Sequence, residues 1–141
     1  RSTMWRAWTD GAARKGADGE WHCGYAVVLL GPTGERREIA DHSCGDTSQR
    51  AELLAVIEAV ELVGPGERLH VDTDSQYVVS GLYGQWNLSA KNKDLWTKLR
   101  RLVAKRDVGF THIPRCSEPE AVAVDQLAKR AMRDCDGGLD K

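Results

Sequence analysis

The chain has 141 residues, 41% of them hydrophobic, and carries 20 basic against 21 acidic residues for a net charge of −1. That length suits one domain with a real core, and the near-neutral balance removes any compositional case for a nucleic-acid partner, so such a partner has to be argued from a site. The longest apolar runs, such as Ala26 to Leu30, fall far short of a membrane span, and no charged-then-apolar leader opens the chain, so a soluble, cytoplasmic protein is expected.

Met4 to Asp10 is rich in strand formers and ends in Asp10-Gly11, which predicts a strand carrying an acid out to a turn. Ala12 to Cys23 is polar and broken by Gly16 and Gly19, and reads as a loop before the apolar strand Gly24 to Leu30. Gly31-Pro-Thr-Gly34 is a turn, and Arg36 to Ser43 alternates as a third strand, making a meander. Thr47 to Glu52 opens a helix whose apolar stripe (Leu53, Val56, Ile57, Val60, Val63) is stopped by Gly64-Pro65-Gly66, with Glu52 in its first turn. Leu69 to Asp74 is the fourth strand. Ser75 caps a short helix to Leu82, and Gly84 to Lys91 is a polar connection containing Trp86. Lys93 to Ala104 is an amphipathic helix, Val108 to Ile113 the last strand, Pro114 to Pro119 a loop and Glu120 to Met132 a closing helix. Residues 1–133 thus form one domain, with 134–141 a flexible tail of little apolar content. The order predicts an α/β fold with a five-stranded mixed sheet and helices on both faces.

Cys23, Cys44, Cys116 and Cys135 are scattered, without a CxxC pair or a histidine at zinc-like spacing, and read as reduced, non-ligand thiols. The short basic clusters, such as Lys91 to Lys93 and Lys98 to Arg101, read as solvated faces.

Four acids stand at predicted element ends: Asp10 and Asp74 after strands, Glu52 and Asp125 at helix starts. Taken singly, Asp74 is equally a helix-capping acid, and Glu52 an acid favoured by the helix dipole. Together they mean more. Carboxylates in one place raise one another's pKa, so such a cluster usually holds divalent metal, and oxygen-only ligands favour Mg2+ or Mn2+ over zinc. Two such ions, about 3.5–4 Å apart, activate water and stabilise the leaving oxygen in phosphodiester cleavage.

With Thr9-Asp-Gly11, Arg50-Ala-Glu-Leu53, Thr73-Asp-Ser-Gln-Tyr-Val78, Asn92-Lys-Asp-Leu-Trp96 and Val124-Asp-Gln-Leu-Ala128 in this order, the sequence resembles the type 1 ribonuclease H family. The resemblance implies a ribonuclease H-like fold and Asp10, Glu52, Asp74 and Asp125 as catalytic, metal-binding residues for two Mg2+ ions, with Mn2+ a substitute. It implies hydrolysis of the RNA strand of an RNA/DNA hybrid, leaving 5′-phosphate and 3′-hydroxyl ends; a monomer is expected. It also sets Gly11, Ser48 and Gln76 where the family contacts the RNA strand, and Thr47 and Arg50 near DNA-phosphate contacts. Small polar donors of this kind read the 2′-OH that marks RNA.

The sequence departs from the family in three places. The glycine-rich loop after the first acid is replaced by Ala12 to Glu20. Trp86 lies too close to Asn92 to leave room for the basic protrusion of many relatives. The stretch before Asp125 reads His112-Ile-Pro-Arg115. The family's auxiliary histidine would fall at Arg115, a cation that cannot act as a base near neutral pH but can meet the scissile phosphate. His112 competes for that role from within a strand pattern. A DNA nuclease of the same fold and a non-catalytic hybrid-binding module are the alternatives; an anionic cluster facing phosphates argues against a pure binder.

Overall fold

The structure is a computed structural model, and it describes residues 3–84 and 91–135. The elements run β1 (Met4–Lys15), β2 (Trp21–Leu30), β3 (Arg36–Cys44), α1 (Ser48–Leu62), β4 (Arg68–Thr73), α2 (Gln76–Tyr83), α3 (Lys93–Ala104), β5 (Asp107–His112) and α4 (Pro119–Cys135). One five-stranded sheet has the order β3-β2-β1-β4-β5. β1, β2 and β3 form the expected antiparallel meander, while β4 pairs parallel with β1 and β5 parallel with β4. A mixed sheet follows because α1 carries the chain back across the sheet before β4 begins.

Alternation along the central strands sends apolar side chains to both faces. On one side Ala7, Val27, Leu29, Leu69, Val71 and Phe110 meet Leu53, Val56, Ile57 and Val60 of α1 and Trp96 and Leu99 of α3. On the other, Trp8, Ala26, Val28 and Ile113 pack against Ala121, Val124 and Ala128 of α4. Fully burying a side chain such as Leu53 contributes about 1.5–3 kcal/mol, and most of α1's stability comes from this packing. Gly24 is what lets α4 lie down: a Cβ there would come within 2.2 Å of the Ala128 carbonyl oxygen and 2.3 Å of the Met132 amide nitrogen.

Several expectations need correcting. The polar stretch Ala12 to Cys23 is not a loop. β1 continues to Lys15 and β2 begins at Trp21, paired through Ala12↔Gly24, Ala13↔Cys23, Arg14↔His22 and Lys15↔Trp21. Backbone pairing holds these residues although they lack apolar alternation, and the reversal is confined to a turn closed by Gly16 N–H on the Glu20 carbonyl (2.8 Å). α4 runs on to Cys135, so residues 134–135 are helical where the sequence suggests a flexible tail. Most of the Gly84 to Lys91 connection, with Trp86, lies outside the described residues.

Cys44 and Cys135 are not reduced thiols either: they are joined in a disulfide, with their Cα atoms 5.9 Å apart. The bridge joins the end of β3 to the end of α4 across 91 residues of sequence, a distance at which cysteine spacing carries no signal. Cys23, buried, and Cys116, exposed, are free.

Candidate active site

Of the four acids, only Asp74 stands at an element end, directly after β4. Asp10 lies inside β1, Glu52 is the fifth residue of α1 and so past its first turn, and Asp125 is well inside α4. Strand pairing and packing, not element termini, therefore bring them together. Ser75 caps α2 as expected, its hydroxyl accepting from the Val78 N–H at 3.2 Å, while Thr73 Oγ1 accepts from Ser75 N–H at 3.0 Å. This turn fixes the backbone from which Asp74 projects.

Gly11 brings the first two acids together. A Cβ on it would stand 2.7 Å from both the Ala51 carbonyl carbon and the Glu52 nitrogen, so only glycine lets β1 lie this close to α1. Its N–H donates to Asp10 Oδ1 at 2.9 Å. One carboxylate oxygen from each of Asp10, Glu52 and Asp74 falls within 4.8 Å of the others. Asp125 joins them on the wall of a cleft of about 440 Å³, also lined by Gly11, Ser48, Arg115 and Lys129.

The electrostatics are those of crowded acids. Burial first, then the Asp74 carboxylate, pushes Asp10 well above the usual carboxylate range. Glu52 is raised by burial, then by Asp10 and Asp74. Asp74 is raised by burial, against an opposing pull from Arg115. Asp125 is instead ion-paired, to Lys129 Nζ at 3.1 Å and Arg115 Nη2 at 3.4 Å. The donor set suits a hard divalent cation. It is all oxygen, its charges repel without one, and the buried Oε1 of Glu52 has no hydrogen-bond partner among the described residues.

Asp72, two residues before Asp74, is buried, but its charge is matched by Arg6 (2.6 Å), with His70 at 3.4 Å. That makes it part of the framework.

The remaining site residues divide. Gly11 and Ser48 line the acid cleft. Thr47, Ser48 and Arg50 line a second pocket with Trp21, Lys91 and Asn92, so Ser48 borders both. Gln76 lines neither; its side-chain amide donates to Ser80 Oγ at 2.7 Å. Arg50 is held by its own chain, through Asp46 (2.7 Å), both oxygens of Asp94 (2.9 Å each) and Asn92 (3.2 Å). His112 is exposed at the end of β5 and lines neither pocket. Sequence reasoning missed Lys129, although its place four residues after Asp125 on a helix puts the two side chains on one face. It also missed Asp46 and Asp94 as partners of Arg50.

Fold and site together define an α/β protein with a sheet-centred acid cluster opening on a basic-flanked cleft. The RNase H family model matches residues 3–133, and the chain belongs to that family. It is 32% identical over 144 residues to the ribonuclease H of Paracoccus denitrificans, covering 89% of this chain and 90% of the relative. Among solved structures it is similar to RNase H1 from the halophilic archaeon Halobacterium salinarum (TM-score 0.71, 29% identity, 93% of this chain and 98% of that one). LC11-RNase H1, whose structure was solved in complex with an RNA/DNA hybrid, shares the fold (TM-score 0.73, 24% identity, 92% and 97% covered).

Proposed function

We propose that this chain is a ribonuclease H that hydrolyses the RNA strand of RNA/DNA hybrids. The observation that carries the reading is the convergence of Asp10, Glu52 and Asp74 within 4.8 Å, with Asp125 on the same cleft wall, in a chain of this family. Asp10, Glu52, Asp74 and Asp125 are the residues that would hold two Mg2+ ions, or Mn2+ in their place. When bound, such ions supply an activated water and charge stabilisation at the leaving oxygen, giving 5′-phosphate and 3′-hydroxyl ends.

The chain's own residues do the positioning. The Gly11 N–H donates to Asp10 Oδ1 and so restrains the carboxylate that stands beside Glu52 and Asp74. Burial keeps water from screening the cluster, which strengthens its pull on a cation. Gly11 and Ser48, small and polar beside the acids, suit contact with a 2′-hydroxyl, and Gln76 at the start of α2 would extend that contact. Thr47 and Arg50, one pocket away, suit the phosphates of the DNA strand. Arg115, with 65% of its side chain exposed and turned toward Asp125, is placed to meet the scissile phosphate or the departing product.

The enzyme is read as a cytoplasmic monomer. No described helix is long and apolar enough to cross a membrane. The exposed large hydrophobics among the described residues, Trp21, Tyr83 and Val122, sit on three separate elements. The test is cleavage of an end-labelled RNA/DNA hybrid beside double-stranded DNA, double-stranded RNA and single strands, with and without Mg2+. Cleavage of the hybrid's RNA strand alone, and only with metal, is expected; equal cleavage of double-stranded DNA would overturn the reading.

A further inference from the structure

Away from the acid cleft, the far end of the β1–β2 hairpin brings a second set of ligating atoms together. His22 near the start of β2, Cys44 at the end of β3 and Cys135 at the end of α4 each place one ligand atom within 4.8 Å of the other two. His22 Nδ1 is 3.4 Å from Cys135 Sγ. In a tetrahedral zinc site, bonds of about 2.3 Å to sulfur and 2.0–2.1 Å to nitrogen set neighbouring ligand atoms roughly 3.5–3.8 Å apart. The imidazole and Cys135 already stand at nearly that spacing.

An independent observation points the same way. The other ring nitrogen of His22, Nε2, lies 3.5 Å from Asp18 Oδ1, and the ring is buried. A carboxylate behind a histidine is the arrangement that fixes tautomer and ring direction at metal centres, leaving the opposite nitrogen to bind. The turn is shaped around this pair, since a Cβ on Gly16 would come within 2.7 Å of His22 Nε2 and 2.9 Å of Asp18 Oδ1. Cys44 is exposed, which gives an ion a path in and leaves a fourth position for water.

We propose that the reduced protein holds a zinc-class divalent cation on His22 Nδ1, Cys44 Sγ and Cys135 Sγ, and that the Cys44–Cys135 disulfide is the metal-free, oxidised form of the same site. The two states exchange by balanced steps. A dithiol gives two electrons and two protons to the disulfide, yielding both cysteine thiols and its own disulfide. The cation then binds the two thiolates as their protons pass to solvent. In each state the end of α4 stays fastened to β3, by a covalent bond or through the metal. Soft sulfur ligands separate this site from the all-oxygen acid cluster in metal preference.

The test uses the full chain, reduced with a phosphine and titrated anaerobically with Co2+, whose thiolate charge-transfer absorption reports sulfur ligation and is absent for carboxylate sites. One equivalent is expected to produce that band, and Zn2+ to abolish it by displacement. The oxidised chain should give none. Cys44→Ser and Cys135→Ser should lose the band, the exposed Cys116→Ser should keep it, and Asp18→Asn should weaken Co2+ affinity by about 10–100-fold. Circular dichroism identifies any variant that fails to fold, and Cys44, being exposed, is the substitution least able to disturb the core. No band in the reduced chain, or an undiminished band in folded Cys44→Ser, would overturn the proposal.

Discussion

Arg115 Nη2 stands 3.4 Å from Asp125 Oδ1, so the cation nearest the acid cleft on the loop after β5 is tied to an acid of the proposed metal cluster. Its charge also opposes the rise in the pKa of Asp74 and Glu52. Arg115→Ala should therefore slow single-turnover cleavage, on the order of 10²–10³-fold for a lost transition-state donor, while metal dependence persists. His112→Ala, altering an exposed residue outside the cleft, should change the rate little. A large fall in the single-turnover rate of His112→Ala would transfer the auxiliary role to the histidine.

Asp10, Glu52 and Asp74 have folded-state pKa values above the unfolded ones, so their protonated forms favour the fold. That contribution is complete below the ordinary carboxylate range and is lost as pH rises through the raised values. Metal-free protein should thus lose stability toward neutral and alkaline pH, and Mg2+ should restore it. Asp10→Asn, whose carbonyl oxygen still accepts from Gly11, should abolish cleavage yet gain about 1–3 kcal/mol at neutral pH, one to two pKa units' worth. Chelator-treated samples unfolded by urea across a pH series provide the check, and an Asp10→Asn protein less stable than its parent at neutral pH would contradict the crowding argument.

Gly11→Ala tests how the cluster is assembled. The new methyl would meet backbone atoms of α1 at 2.7 Å, and neither partner is a side chain that can swing away. β1 and α1 must separate, at a cost of about 1–3 kcal/mol. A shift approaching 1 Å between Asp10 and Glu52 costs on the order of 10²-fold in rate. Retained activity with unchanged stability would mean that the acids do not depend on this contact.

The succession of elements along the chain and both apolar faces are legible in the sequence because alternation and helical periodicity report burial directly, as in Leu69, Val71 and Thr73 or Leu53, Val56 and Ile57. The acids are legible because they fall within recurring motifs. What is not legible depends on pairing between distant segments. Nothing in Arg14 or His22 alone announces a ladder; each is a strand residue because the other is there. The same holds for Cys44 with Cys135, and for Arg50, whose sequence suggests an available cation but whose surroundings include Asp46 and Asp94.

The Cys44–Cys135 bridge links positions 91 apart in sequence and restricts the unfolded chain accordingly. Cys44→Ser, compared with the parent without reductant, should lose about 2–4 kcal/mol of stability, the usual contribution of such a link. Thermal unfolding with and without a phosphine measures it. The parent should fall to the variant's level on reduction in the presence of chelator, and equal stability in all samples would show that the bridge does not constrain the chain.

Arg50 supplies the last expectation, because its guanidinium is already bound. Both Asp94 oxygens hold it at 2.9 Å and Asp46 at 2.7 Å, and Arg50 in turn pulls the Asp94 carboxyl down to about 2. A DNA phosphate entering the Thr47–Asn92 pocket would meet a cation whose charge is compensated, and displacing Asp94 would cost most of what the new contact gains. Hybrid binding should therefore depend on salt more weakly than in a protein with 6–10 phosphate contacts, for which the logarithmic slope is about −0.9 per phosphate. Asp94→Asn keeps a side-chain oxygen to hold Arg50 in place but removes the competing charge, so it should tighten binding and steepen the slope by about 0.9. Affinities measured at several salt concentrations with chelator present, to prevent cleavage, read out both effects. A steep slope in the parent would reveal a basic surface elsewhere, with Lys91 and Lys93 first in view. An Asp94→Asn protein that binds more weakly would mean that the acid serves to aim Arg50 and not to restrain it.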